Sequence, residues 1–385
     1  MLALKDKVIV FIKNIYPKEK DPRIVKEVEA VRENGCNVIL LLWNRERKEK
    51  VHISQKDREL EYVLNLRAPY GFSGIAFLPV WWMFVMFKLI KLNWDIAHVI
   101  DFQSIIPALI IGYLKRKPVI YEIEDSLMDD VILPSFIKSI FEKIERIAAT
   151  LSSAIIVVDE LLIDKLHLPL LKTTVIYDSA PDILNHHPCE IKKNTKDALT
   201  IFYAGSLPYE KKRYLRIIVD AISNLENTKV IFAGYGKLVE EIRIWEKEYP
   251  GKVEFIGWIP YEEALKISLQ CDLLFDFKDP RLPSHQYICG SKIFQAMMCK
   301  KPILVNNGTS VAIKVKKEMC GLIVDINNIE EIERSIVKLK NDRELCKKLG
   351  ENGRKAYERI YSWEQMKHRL LNIYLIKNNR CNVKK

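Results

Sequence analysis

The sequence predicts an α/β protein with two doubly wound parallel sheets, on the strength of three observations. Short β-branched runs alternate with amphipathic helical runs along most of the chain. The alternation stops at a polar, proline-containing stretch without period, Pro181 to Lys196, and restarts at Leu199. At 385 residues the chain also exceeds one comfortable hydrophobic core. The expected division is two domains, 1–180 and 199–360, a linker at 181–198, and a terminal helix and tail at 361–385.

Composition narrows the partners. A formal net charge of +11 favours nucleic acid, an anionic membrane face or phosphorylated substrates, and does not by itself choose among them. The eight cysteines form no Cys-x-x-Cys pair and no zinc-ligand spacing with histidine, so they read as reduced, buried thiols of a cytoplasmic protein. Met1 to Lys7 is too charged and too short for a signal peptide.

Taken in order, Lys7 to Ile12 reads as a buried strand. Asp21-Pro22 supplies an N-cap and a first-turn proline for a helix whose stripe Ile24, Val25, Val28 and Val31 ends at Asn34-Gly35. Strands are expected at Asn37 to Leu42 and Glu61 to Leu66. Phe72 to Leu92 is the most apolar stretch, broken by Gly74 and Pro79 and closed by Lys88 and Lys91, so it is not expected to span a membrane. It is either a helix covering the sheet or an aromatic, basic surface for lipid headgroups. Strands at Asp95 to Val99 and Val119 to Glu122 are each followed by polar residues, Asp101 and then Glu124-Asp125, where open parallel sheets bind ligands. A helix from Phe136 to Leu151 and strands at Ser153 to Val158 and Thr173 to Tyr177 complete the first domain.

The second domain restarts at Leu199 to Ala204, followed by Gly205-Ser206, a lysine-rich loop and a helix from Arg213 to Ser223. Strands follow at Lys229 to Ala233, before Gly234-Tyr-Gly236, at Lys252 to Ile256, before Gly257-Trp258, and at Asp272 to Phe275. Gly234-x-Gly236 lacks the remainder of a dinucleotide fingerprint. Asp276-x-x-Asp279 has the wrong spacing for an Asp-x-Asp metal site and reads as a turn. Ser291 caps a helix with apolar Ile293, Phe294 and Met297, which Pro302 stops before a strand to Val305. Lys292 in its first turn sets a positive charge beside unpaired backbone N–H groups, as a diphosphate requires, and Gln295 lies one turn further, within reach of a sugar hydroxyl.

The run Gly290-Ser-Lys-Ile-Phe-Gln-Ala-Met-Met-Cys-Lys-Lys-Pro-Ile303 resembles the nucleotide-sugar helix of the family 4 (group one) glycosyltransferases, Pro-Asn-Lys-Leu-Phe-Glu-Tyr-Met-Ala-Ala-Gly-Lys-Pro-Val. Asp21-Pro22-Arg23, His98-Val-Ile-Asp101, Tyr121-Glu-Ile-Glu-Asp125 and Tyr203-Ala-Gly205-Ser206 followed by Arg213 are similar to further segments of that family, in the family's order. The resemblance implies a GT-B fold: two Rossmann-like domains facing across a cleft, with the last helix, from Trp363, crossing back to the first domain. It implies transfer of a hexose-type sugar with retention from a UDP- or GDP-sugar to a glycan or lipid-linked acceptor. No metal and no further cofactor would be needed, because Arg213 and Lys292 neutralise the departing diphosphate; Lys211 or Lys212 could take the arginine's part.

The implied donor site comprises Gly205, Ser206, Lys212, Arg213, Gly234, Trp258, Tyr287, Ser291, Lys292 and Gln295, with Tyr287 and Gln295 standing where the family has two glutamates. Asp101, Glu124 and Asp125 are expected on the acceptor or sugar side, Glu124 in the place of a family histidine. His98 reads more simply as a hydrogen-bonded strand-end residue. Nucleic acid is not an expected partner; an anionic membrane surface on the cytoplasmic side, met by 72–92, is. Competing readings are an epimerase or hydrolase of the same fold, or a silent paralogue that binds nucleotide sugar.

Overall fold

The computed structural model describes residues 4–17, 21–46, 55–56, 58–69, 72–124, 135–184 and 198–382. The chain forms two units, Met1–Tyr177 with Met366–Lys385, and Asp178–Gln365. The stretch expected as a linker therefore starts inside the second unit, where Asp182 accepts from Arg354 at 2.6 Å and the Ala180 carbonyl accepts from the Tyr357 hydroxyl at 2.8 Å; residues 185–197 of it lie outside the described residues.

In the first unit, β1 (Val8–Lys13), α1 (Pro22–Glu33), β2 (Asn37–Trp43), β3 (Gln55–Lys56), β4 (Glu59–Leu64), α2 (Leu78–Lys91), β5 (Ile96–Ile100), α3 (Phe102–Lys115), β6 (Val119–Ile123), α4 (Ser135–Leu151), β7 (Ala154–Val157), α5 (Leu161–Leu166) and β8 (Thr173–Val175) follow one another. The sheet order is β3-β4-β2-β1-β5-β6-β7-β8. The described pairings are parallel except β3 with β4, a short antiparallel edge that the alternation had not predicted. Asp21 caps α1 as expected, its carboxylate accepting from the Arg23 N–H, and Gly35 turns the chain out of the helix at φ +82°.

The second unit runs β9 (Leu199–Ser206), α6 (Lys212–Ile222), β10 (Thr228–Tyr235), α7 (Val239–Glu248), β11 (Val253–Phe255), α8 (Tyr261–Gln270), β12 (Leu273–Asp276), α9 (Pro283–Tyr287), α10 (Lys292–Met298), β13 (Ile303–Asn306), α11 (Ser310–Glu318), β14 (Gly321–Val324), α12 (Ile329–Asn341) and α13 (Arg343–Ala356). Its strands order β11-β10-β9-β12-β13-β14. Sequence reading had not resolved α9 or the elements from α11 to α13. Helix α14 (Trp363–Asn382) returns the chain to the first unit, where Tyr374 is fully buried and its hydroxyl lies 2.6 Å from His98 Nδ1.

The apolar stretch 72–92 divides into a buried and an exposed face, and the first of its two expected roles, a helix covering the sheet, accounts for the buried one. Trp81, Val85 and Leu89 are buried, and the Trp81 indole stacks on Trp43 and donates to Ser104 Oγ at 3.0 Å. Met83, Phe87 and Ile90 are exposed. By length and composition alone Ser73–Lys91 is also long and apolar enough to cross a membrane, contrary to the expectation from its glycine and proline, though it is part of the unit's helix layer. Trp81 is thus a core residue, and Trp81→Ala is expected to cost about 3–5 kcal/mol in urea unfolding. Phe87→Ala on the outer face should stay within about 0.5 kcal/mol; similar losses from both would contradict this division of the helix.

Candidate functional site

Both sheets place charged residues at the carboxyl ends of the strands where the order reverses, the position at which open α/β sheets bind ligands. In the second unit the reversal falls between β9 and β12. Tyr203 and Gly205 end β9, Asp276 ends β12, and Lys292 opens α10. The Lys292 ammonium lies 4.5 Å from the centre of the Tyr203 ring, and a Cβ added to Gly205 would come within 3.4 Å of it. Lys211 donates to the Tyr203 hydroxyl at 3.1 Å and to the Ser206 carbonyl at 3.2 Å. Lys278 lies 3.6 Å from Asp276, held in place by paired backbone bonds with the Asn306 amide.

The charges of this group are interdependent. Burial pushes the Asp276 carboxyl up, but Lys278, Lys292 and Lys211 overcome it and hold the group below the usual range. Burial likewise raises Tyr203, and Lys292 and Lys211 bring it below its ordinary value. For Lys292 burial lowers the pKa, while Tyr203 and Asp276 raise it further, so the ammonium persists at neutral pH. Three ammonium groups facing one carboxylate leave two positive charges beside a glycine backbone, the complement of a diphosphate. Gly205 and Gly234 make room there: both have positive φ, and a Cβ on Gly234 would lie 1.9 Å from the Gly205 carbonyl oxygen.

Other expected donor residues are placed differently. Arg213 is exposed and donates to Asn327 Oδ1 at 2.6 Å, and Lys212 pairs with Glu241 at 2.9 Å, so the basic side chain joining Lys292 at Tyr203 is Lys211. Gln295, expected within reach of a sugar hydroxyl, is instead buried in α10 and donates to Ser268 Oγ at 2.5 Å. Ser291 occupies the N-cap position with helical backbone angles and, contrary to the expectation, makes no side-chain capping bond. Tyr287 ends α9 half-buried. Trp258 is exposed after Gly257, whose carbonyl accepts from the Gly234 N–H at 2.8 Å. Asp276 was missed. Its signal was a polar residue closing a buried strand, with a lysine two positions on; Asp279, by contrast, does form the expected turn, accepting from Arg281 N–H at 3.0 Å.

In the first unit the order reverses between β1 and β5. Lys13, buried at the end of β1, bonds Asp21 and lies 2.5 Å from Glu124; burial lowers its pKa, but Glu124, Asp21 and Asp101 raise it well above the ordinary value. Asp101 follows β5 at φ +67°, an unusual backbone angle for a residue with a side chain. Arg23 donates to Glu122 at 2.5 Å and lies 3.4 Å from Glu27, and His98 Nε2 lies 2.7 Å from Glu122. His98 is the hydrogen-bonded strand residue expected. Glu27, His98 and Glu122 each bring a ligand atom within 4.8 Å of the others, but the Arg23 guanidinium already supplies the positive charge between the two carboxylates. Asp101 and Glu124 are thus brought together around Lys13, while Asp125 lies outside the described residues.

Residues 189–356 match the family model described as glycosyl transferases group 1. Two archaeal proteins of Methanocaldococcus jannaschii, the uncharacterized glycosyltransferases MJ1178 and MJ1069, are 30% identical over 151 residues and 27% identical over 183 residues. Those matches take in 39% and 46% of this chain, and the chain spans only 40% and 45% of the length of these curated relatives. Among solved structures, sucrose-phosphate synthase from Thermosynechococcus elongatus superposes with a TM-score of 0.70 at 14% identity, covering 96% of this chain and 98% of that one. Anabaena Alr3699/HepE in complex with UDP and glucose gives 0.68 at 13%, covering 95% and 98%. The fold is GT-B. WaaG, a glycosyltransferase involved in lipopolysaccharide biosynthesis, gives 0.64 at 13%, covering 95% and 99%.

The buried ion group of the first unit sets a pH dependence. Burial pushes Glu122 up, while Arg23 and His98 hold it far below its unfolded value of about 4.3, so its stabilisation is present above that pH and is lost as pH falls. Glu122→Gln removes the buried carboxylate that both Arg23 and His98 face and is expected to cost about 3–5 kcal/mol near neutral pH. In urea unfolding the deficit should shrink below about pH 4; a deficit independent of pH would contradict an ionised Glu122.

Proposed function

We propose that this chain is a glycosyltransferase that moves a hexose-type sugar from a UDP- or GDP-sugar to a glycan or lipid-linked acceptor, with retention and without a metal at the leaving group. The observation that carries this reading is the excess of two positive charges that Lys292, Lys211 and Lys278 leave around Asp276 at the reversal point of the second unit's sheet. Departure of a nucleoside diphosphate builds negative charge. Fixed ammonium groups in a site partly closed to water stabilise that charge without reorganising. Tyr203 accepts from Lys211 at its hydroxyl and meets the Lys292 ammonium at its ring, and so positions both.

The exposed Trp258 indole offers an apolar face to a nucleobase or sugar. The first unit contributes polar groups at its own reversal point, Asp101 and Glu124, for acceptor hydroxyls. No side-chain nucleophile is invoked, since in a retaining reaction of this kind the departing phosphate takes the acceptor proton on the same face. Burial raises the Cys271 and Cys320 thiols to about 12, so neither offers a thiolate at neutral pH.

Lys292→Ala is expected to weaken UDP or GDP binding by about 1.5–3 kcal/mol, the range for hydrogen bonds to charged groups, with calorimetry as the measurement. Unchanged affinity for both nucleotides would remove the site. Transfer should persist in EDTA; activity lost to chelator and restored by magnesium or manganese would replace the lysines with a metal. A screen of UDP-, GDP- and ADP-sugars with and without acceptor separates transfer from the hydrolysis or epimerisation expected of other enzymes with this fold.

A further inference from the structure

The helix layer formed by α2, α3 and α4 buries one set of large apolar side chains, Trp81 and Leu89 of α2 and Ile105 and Ile111 of α3 among them, and exposes a second set on its outer side. In α4 the arrangement is inverted relative to an ordinary surface helix: Ala148 and Ala149 are buried, whereas Ile140, Ile144, Ile147 and Leu151 form an exposed stripe at helical spacing. The outer faces of the adjoining helices continue it with Phe87 on α2 and Leu114 on α3. Surfaces of soluble proteins seldom present so many contiguous apolar side chains without something to cover them.

The charges on the same helices indicate what covers it. Sequences 78–91 and 102–115 contain no acidic residue, and α4 contains Glu142 and Glu145, the second buried and bonded to Tyr121 at 3.0 Å. Basic residues stand among the apolar ones, Lys88 and Lys91 on α2 and Lys143 and Arg146 on α4, while Lys115 on α3 donates to the Ile90 carbonyl at 2.6 Å. The Lys91 ammonium sits 4.2 Å from the centre of the Phe87 ring, a basic group directly beside an exposed apolar one. A second copy of this chain laid on the same face would oppose like charges. An anionic lipid surface offers apolar depth and negative headgroups together.

We propose that the outer face of α2, α3 and α4 docks on an anionic lipid bilayer. Trp81, Val85 and Leu89 tie α2 to the core, so the helix lies in the plane of the interface. Isoleucines and Phe87 enter the headgroup boundary while the lysines and Arg146 meet lipid phosphates. This inference rests on the first unit alone and does not require the donor site of the second.

The test is co-sedimentation of the full chain with phosphatidylglycerol–phosphatidylcholine vesicles and with phosphatidylcholine alone. Binding is expected to the anionic vesicles and to weaken as salt rises. The double variant Phe87→Ser/Ile147→Ser should lower it by about tenfold or more, and Lys143→Glu/Arg146→Glu should remove the preference for anionic lipid. Both variants alter exposed positions, so the melting temperature and diphosphate binding should stay at wild-type levels. No binding at low salt, equal binding by the serine variant, or a wild-type dimer that the serine variant dissolves would each overturn the proposal, the last assigning the face to self-association. Loss of diphosphate binding by Lys292→Ala with vesicle binding intact would separate this inference from the proposed reaction.

Discussion

The second unit depends on keeping a lysine charged inside a protein. Lys292 loses most of its water, a cost of several kcal/mol for an isolated ammonium, and the compensation comes from the phenol of Tyr203 and the carboxylate of Asp276, both at the carboxyl edge of the same sheet. Neither partner neutralises the group fully, because Lys211 and Lys278 add two more cations around the same carboxylate. The residual charge is therefore held by the strand ends themselves. Loop geometry follows from it: the backbone beside the ammonium must be glycine at Gly205, and the next strand must be glycine at Gly234, for the chain to approach closely enough.

The first unit solves the same electrostatic problem differently. At its reversal point the carboxylates outnumber the cations, and burial is compensated by Arg23 spanning Glu27 and Glu122 and by Lys13 between Asp21 and Glu124. Burial together with the neighbouring Glu122 pushes the Glu27 carboxyl up, so one of that coupled pair holds its proton. Helix α14 supplies the outer boundary of the group through Tyr374 and His98, so the last helix of the chain is fixed by chemistry located near its beginning. Its role here is to hold the first unit's carboxylates in place.

Much of the fold was legible in the residues. The alternation of strands and helices, the parallel sheets and the capped start of α1 follow from period, punctuation and an Asp-Pro pair, because those signals act locally. Helix α10 was recognisable from its apolar stripe and from Pro302 after it. What failed at the site failed for nonlocal reasons. Gln295 lies one helical turn past Lys292, but the turn of α10 directs it toward Ser268 on a different helix. Arg213 and Lys211 are two residues apart, and only the path of the turn before α6 decides which reaches Tyr203.

The sequence by itself determined most of the strands and helices as far as β13, that two sheets are wound from them, and that basic side chains crowd the ends of the second unit's strands. Periodicity and capping are properties of consecutive residues, so they can be read without the fold. Only the tertiary structure decided that Asp276 is the carboxylate those bases share, that Trp81 is core while Phe87 is surface, and that α4 shows its isoleucines to the outside. Each of these depends on the partner brought from a distant part of the chain, and burial, which sets the energy of a charge or an apolar side chain, exists only once that partner is in place.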